Sequence, residues 1–251
     1  HAYTLHLIEN QNAYRYVGRV MNRTADAIIT VSDSNRRRLE RAGASPQKTH
    51  VVHNGVNLDS FPVTDRSAAD RFRIGIVARM IPRKGHEYLF RALAKLAASR
   101  GYDWASVQVI GWGPEEQSLK ALARDLGLQE TVKFFGDRHD IPDLLRDMDL
   151  LVLPSTYEGF PISIIEAMAT GLPVIGSDID GIPEIIAHER TGLLVPARDV
   201  NALADSIARV ADDKDLRSRL GRAAASLVRE RFTVDAMVDN TERIFNHVLL
   251  R

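Results

Sequence analysis

From residue 73 onward the chain alternates short β-rich runs with helical patterns. That alternation limits its fold most, because parallel strands joined by helices bury both faces of a single sheet. Strands are predicted over Arg73–Arg79, Ser106–Gly111, Thr131–Gly136, Asp149–Pro154, Leu172–Ser177 and Thr191–Pro196. Between them apolar residues return at helical spacing, first Tyr88, Leu89, Ala92, Leu93 and Leu96, then Leu119, Leu122 and Leu126. Three more helices follow the last strand, marked by Leu203, Ile207 and Val210, by Leu216, Leu220, Leu227 and Val228, and by Val234, Val238, Ile244 and Val248. The class is α/β, with a doubly wound parallel sheet.

The first sixty residues carry a thinner version of the same pattern. A helical stretch spans Tyr14–Thr24, a strand Asp26–Val31, and Ser32 is placed to cap a basic helix running through Arg41. Strand text returns at His50–His53, Asn54-Gly55 marks a turn, and the polar stretch Asp59–Asp70 with Pro62 reads as a linker. This is part of a domain rather than a whole one. The expected organisation is therefore a partial first domain over 1–60, a second domain over 61–232, and a terminal helix over 233–251 that packs back on the first part.

Composition removes several functions. Of 251 residues 45% are hydrophobic, enough for a sizeable core. Lys plus Arg and Asp plus Glu both number 33, so no overall field favours a nucleic acid. Without cysteine there is no disulfide framework, thiolate metal site or cysteine nucleophile. No apolar run reaches the ~18 residues of a membrane span, so a soluble chain is expected, placed in the cytoplasm or peripheral to the inner membrane face.

Two segments carry the candidate chemistry. Tyr157–Gly171, YEGFPISIIEAMATG, runs from a buried strand into a helix, with Pro161 at the first helical position and Gly171 just past the end. A helix starting where a parallel strand ends directs its free N–H groups and partial positive charge into the crevice where such sheets bind ligands. Two carboxylates, Glu158 and Glu166, flank that anion site and suit a ligand offering hydroxyl pairs. The second segment, Arg79-Met-Ile-Pro-Arg83-Lys84-Gly85-His86, places basic side chains at the end of the first strand of the sheet, where they can neutralise phosphoryl oxygens. Taken singly, each of these charges is more often a solvated loop residue.

The ordered set IGIVARMIPRKGHEYLFRAL, VIGWGPEEQSLKALARDLGL, VKFFG, LLVLPSTYEGFPISIIEAMATGLPVIGSDIDGIPEII and TGLLVPARD resembles the successive signatures of retaining glycosyltransferases of family 4, which have the GT-B fold. The resemblance covers nearly all of 25–232. It implies a nucleotide-diphosphate sugar donor, either a UDP-sugar or GDP-mannose, with no cofactor and no metal, and a glycan or lipid-linked acceptor. It implies that Glu158 contacts the transferred sugar, Glu166 the ribose, and Arg79 and Lys84 the diphosphate. Gly159 and Phe160 match the turn against sugar and phosphate, Gly111 and Gly113 a glycine pair near the nucleotide, and Arg138 a base-side position. His6, in the opening HAYTLHLIENQ, matches a histidine that faces the sugar. His1 is the second candidate for that match, and His53 and His86 are read as loop or strand-end residues. Family members carry a complete first domain, of which this chain is expected to lack roughly the first half.

The aspartate pairs Asp147/Asp149 and Asp178/Asp180 have metal-like spacing but fit no step of that chemistry. Gly111-Trp-Gly113-Pro lacks the third glycine of a dinucleotide fingerprint. The basic stretch Arg36–Arg38 reads as a solvated helix face, with contact to an anionic membrane as the alternative. Two other functions stand beside the transferase: a non-catalytic nucleotide-sugar-binding module, with a homodimer completing the fold, and an epimerase or phosphorylase on the same fold.

Overall fold

A computed structural model describes residues 2–5, 18, 20–64 and 69–250. The expected α/β architecture is present as two parallel sheets. The first has three strands in the order β1 (Ala2–Leu5), β2 (Ala27–Thr30), β3 (Thr49–Val51), with α1 (Asp33–Arg41) between the last two. Ser32 caps α1 as expected, its hydroxyl accepting from the Asn35 amide at 3.2 Å. Of the expected helix over Tyr14–Thr24, residues 18 and 20–24 are helical, and His1 and His6 lie outside the described residues.

The second sheet contains β4 (Phe72–Val77), β5 (Ala105–Ile110), β6 (Val132–Gly136), β7 (Leu150–Leu153), β8 (Val174–Ser177) and β9 (Leu193–Val195). Its spatial order is β6-β5-β4-β7-β8-β9, all parallel. The chain begins in the middle of this sheet, builds outward to β6, returns to pair β7 against β4, and builds outward on the other side. A crevice is left above the carboxyl ends of β4 and β7, where the connections diverge to opposite sides.

Strand alternation distributes the core. Leu150 and Val152 face one layer with Ile74, Ile76, Val107 and Val109, covered by α2 (His86–Arg100), α3 (Glu116–Asp125) and α6 (Val200–Asp212). Leu151 and Leu153 face the other, under α4 (Ile141–Arg146), α5 (Ile162–Ala169) and α7 (Lys214–Arg231). The helix α4 has no counterpart in the sequence reading. At six residues, with only Leu144 and Leu145 buried, it is too short to show a helical period.

The last helix, α8 (Val234–Leu249), forms where expected, but none of its residues is buried. Its apolar stripe is half-exposed at best and does not serve as core. The start of α8 is tied to the first part of the chain: Val56 N–H donates to the Phe232 carbonyl at 2.9 Å, and Val234 N–H to the Val56 carbonyl at 3.2 Å.

Helices α5 and α7 meet at Gly221. A Cβ there would fall 2.1 Å from the Gly171 carbonyl oxygen. In an exposed helix interior, glycine to alanine stabilises by up to about 1 kcal/mol. Here the backbone clash outweighs that gain, and Gly221→Ala is expected to destabilise the protein by about 2 kcal/mol. Urea unfolding of the variant checks the sign, since a midpoint at or above the parent's contradicts the packing.

Candidate functional site

Three loops converge above the carboxyl ends of β4, β5 and β7, and glycines allow the convergence. Gly85 has φ 74°, and a Cβ on it would lie 2.0 Å from the Pro154 carbonyl oxygen, so the loop after β4 rests directly on the loop after β7. The Thr156 amide fastens the two by donating to the Arg83 carbonyl at 2.7 Å. Gly113 lies equally close to Met80, a Cβ there falling 2.3 Å from its carbonyl oxygen, and Met80 N–H donates to the Trp112 carbonyl at 2.8 Å. Gly111 and Gly113 thus have a packing duty of their own beside the expected place near a nucleotide.

This convergence brings Lys84 and Glu158 together, 74 positions apart in sequence. Lys84 Nζ donates to Glu158 Oε1 at 2.5 Å, and Ser155 Oγ donates to the same oxygen at 2.8 Å. Glu158 is buried at 4% exposure, so the ion pair is shielded from water and stronger than a surface pair. Glu158 Oε2 accepts nothing from the described residues. Arg79, next along the rim, is exposed and lays its guanidinium over the Trp112 ring, 5.1 Å from the centroid.

Behind the pair, α5 begins without a side-chain cap, leaving its first amides unbonded by side chains. Pro161 is the N-cap, one position before the first helical place assigned to it from sequence, with extended ψ of 118°. Gly171 closes the helix end with φ 73°, as expected. Glu166 lies half-buried on α5, and burial raises its carboxyl above the usual carboxylate range. Its side chain has no partner among the described residues. Hydroxyl donors placed there would favour its charged form.

The remaining expected residues fall as follows. Gly159 and Phe160 lie on the loop between Glu158 and α5. The Phe160 ring is buried at 4% exposure and stacks on His53, with centroids 4.7 Å apart, and its carbonyl accepts from Asn54 Nδ2 at 2.9 Å. His53 is correspondingly no plain loop histidine: it joins the two parts of the chain and lies 3.4 Å from Glu184. Arg138 is exposed at the end of β6 and paired with Asp140. Asp149 is taken up by Arg73, accepting from its backbone amide at 2.9 Å and from Nε at 3.0 Å. The solvated basic face expected at Arg36–Arg38 is only partly so. Arg36 pairs with Asp33 at 2.6 Å, Arg38 reaches Asp180 at 3.0 Å, and Arg37 alone is exposed.

A group of possible metal ligands among the described residues, Asp33, His53 and Glu184, draws on α1 and the segment after β8. Glu184 spends both oxygens on backbone amides there, of Asp33 at 2.7 Å and Ser34 at 2.8 Å. A cavity of about 820 Å³ opens at the opposite end of the sheet, beside Phe72, Asp149 and Pro173. Ligands of open parallel sheets bind at the carboxyl ends, so the converging loops are the better candidate.

Residues 63–227 match the family model described as glycosyl transferases group 1, and residues 1–60 match that described as glycosyltransferase family 4. The chain belongs to the group 1 glycosyltransferases. It is 35% identical over 224 residues to D-inositol 3-phosphate glycosyltransferase of Streptomyces scabiei, covering 81% of this chain and 50% of that relative. It is 30% identical over 230 residues to the GDP-mannose-dependent alpha-(1-6)-phosphatidylinositol monomannoside mannosyltransferase of Mycobacterium tuberculosis, covering 84% of this chain and 59% of the relative. The chain thus spans little more than half the length of these curated relatives. Among solved structures, Anabaena HepE in complex with UDP and glucose superposes with a TM-score of 0.88 at 26% identity, over all of this chain and 71% of that one. The fold of this glycosyltransferase chain is GT-B. Among the described residues no helix is long and apolar enough to cross a membrane.

His86 opens α2 two residues after Lys84, at 2% exposure, with neither ring nitrogen hydrogen-bonded among the described residues. Burial, aided by the Lys84 charge, lowers its pKa to about 4. The folded state therefore stays neutral while the unfolded chain takes up a proton near pH 6.5. That penalty is absent above pH 6.5 and grows to about 3 kcal/mol as the pH falls to 4. Urea midpoints measured at pH 7.5, 5.5 and 4.5 are expected to drop less steeply in His86→Leu than in the parent; parallel slopes would contradict a buried neutral His86.

Proposed function

We propose that this chain carries the donor site of a retaining glycosyltransferase, which moves a hexose from a nucleoside diphosphate sugar to a hydroxyl of a glycan or glycolipid acceptor. The observation that carries the reading is the shielded Lys84–Glu158 pair in front of the uncapped start of α5. Cation, helix amides and a carboxylate with one oxygen open suit a ligand that is phosphate at one end and polyol at the other. The names of the relatives, one GDP-mannose-dependent, and the UDP and glucose in the HepE complex support that ligand class.

In this mechanism Lys84 and Arg79 hold the diphosphate with the first amides of α5, Glu166 accepts from the ribose hydroxyls, and Glu158 accepts from the sugar. The acceptor oxygen attacks the anomeric carbon on the face from which the diphosphate leaves. The bond from carbon to phosphate oxygen breaks, the new carbon–oxygen bond forms, and the acceptor proton passes to the departing phosphate. Positioning and charge stabilisation supply the rate, with the two basic side chains meeting the negative charge that a metal ion meets elsewhere.

Calorimetric titration with UDP, GDP and ADP in the presence of a chelator tests the reading. One nucleotide is expected to bind, and Glu166→Ala to weaken it ten- to hundredfold, the worth of about 1.5–3 kcal/mol for hydrogen bonds to a charged group. Lys84→Ala is expected to slow sugar transfer more than it weakens nucleotide binding. No binding of any of the three, or unchanged affinity in Glu166→Ala, rejects the site.

A further inference from the structure

The loop bearing Glu158 is held from the other half of the chain. Asp180, in the segment that follows β8, accepts the Glu158 backbone N–H on Oδ2 at 3.0 Å and the Arg38 guanidinium on Oδ1 at 3.0 Å. Arg38 belongs to α1, in the first part of the chain. It also hydrogen-bonds the Tyr157 hydroxyl and stacks over that ring, 4.6 Å from its centroid. The same segment grips α1 at its start, where Glu184 takes the amides of Asp33 and Ser34.

The backbone is shaped for these contacts. Asp180 has φ 48°, a left-handed conformation that is strained for a non-glycine residue and that aspartate tolerates better than most. At Gly181 a Cβ would fall 1.8 Å from the Gly159 carbonyl oxygen and 3.1 Å from the Ser32 Cβ. The cap of α1, the segment after β8 and the loop between Glu158 and α5 therefore meet at one point with no room for a side chain.

We propose that Asp180 is a positioning residue for the sugar end of the donor, and that Arg38 makes this positioning depend on α1 being docked. The proposal rests on the donor site described above. Asp180 touches neither nucleotide nor phosphate in that scheme. It fixes the peptide from which the Glu158 carboxylate projects, while the Lys84 backbone is held by its own amide on the Ile81 carbonyl at 3.0 Å and Glu166 lies within α5. Loss of the Arg38–Asp180–Glu158 chain should loosen the sugar and spare the nucleotide.

The test compares the affinity of the matching nucleotide sugar with that of its nucleoside diphosphate, in the parent and in Asp180→Gly, Asp180→Asn and Arg38→Ala, alongside the thermal midpoint of each. Asp180→Gly relaxes the backbone but removes both acceptors, whereas Asp180→Asn keeps an acceptor and tolerates the same φ. Asp180→Gly and Arg38→Ala are expected to bind the diphosphate within about twofold of the parent and to lose at least tenfold in the ratio of the two affinities. Asp180→Asn, which offers one acceptor to two donors, is expected to lose no more of that ratio than Arg38→Ala and less than Asp180→Gly. A merely structural contact would weaken both ligands together, and that outcome, or an unchanged ratio in Arg38→Ala, overturns the proposal. Should Asp180→Gly fail to fold, Arg38→Ala decides alone. Failure of the parent to bind any nucleotide rejects the donor site itself, a result distinct from failure of the positioning role.

Discussion

The site depends on the close approach of two loops at Gly85. Lys84 and Glu158 come from segments on opposite sides of the point where the sheet reverses its direction of growth, and only a residue without a side chain lets the first segment lie on the Pro154 carbonyl. Its positive φ also turns the chain from the short 3-10 turn Pro82–Lys84 into α2. Any larger residue would push the loop after β4 away and part the ion pair. Buried ion pairs often contribute little net stability, because desolvation of both charges offsets their attraction. The pair is better understood as a geometric device, holding an ammonium and a carboxylate at fixed places beside a helix start.

Neutrality of the chain as a whole conceals strong local organisation. Asp149 is held by Arg73, Glu189 by Arg209, Asp212 by Arg100 and Asp140 by Arg138, whereas Arg79 and Glu166 have no ion pair among the described residues. A net charge near zero therefore argues against a nucleic-acid surface without arguing against a small phosphate site.

Much of the second sheet was legible because its signals are local. Buried parallel strands read as runs such as LLVLP and VIGS, and each observed strand falls within about a residue of its expected span at one end or the other. The helix α4 escaped because six residues hold less than two turns. The helix α8 was legible from its apolar stripe, but periodicity reports a face and not what covers it. At the site, Lys84, Glu158 and Glu166 were legible from residue type and position at strand ends, whereas Arg38 and Asp180 were not. Their partnership spans 142 positions, and each carried a local explanation, one as a solvated charge and the other as half of a metal-like pair. His53 was missed for the same reason, its neighbours Phe160, Phe232 and Glu184 all being distant in sequence.

The parallel bridge between Val56 and Thr233 carries a mechanical consequence. The chain passes from the first sheet toward the second at Val56 and comes back to the same spot at Thr233, with Gly55 so close to Thr233 that a Cβ would lie 2.2 Å from its carbonyl oxygen. A single covalent thread would let the two sheets swivel about it. Two threads laced by backbone hydrogen bonds behave as a strap, which bends across its width more easily than it twists. Any swivel of one sheet on the other would have to break the backbone hydrogen bonds of Val56 with Phe232 and Val234.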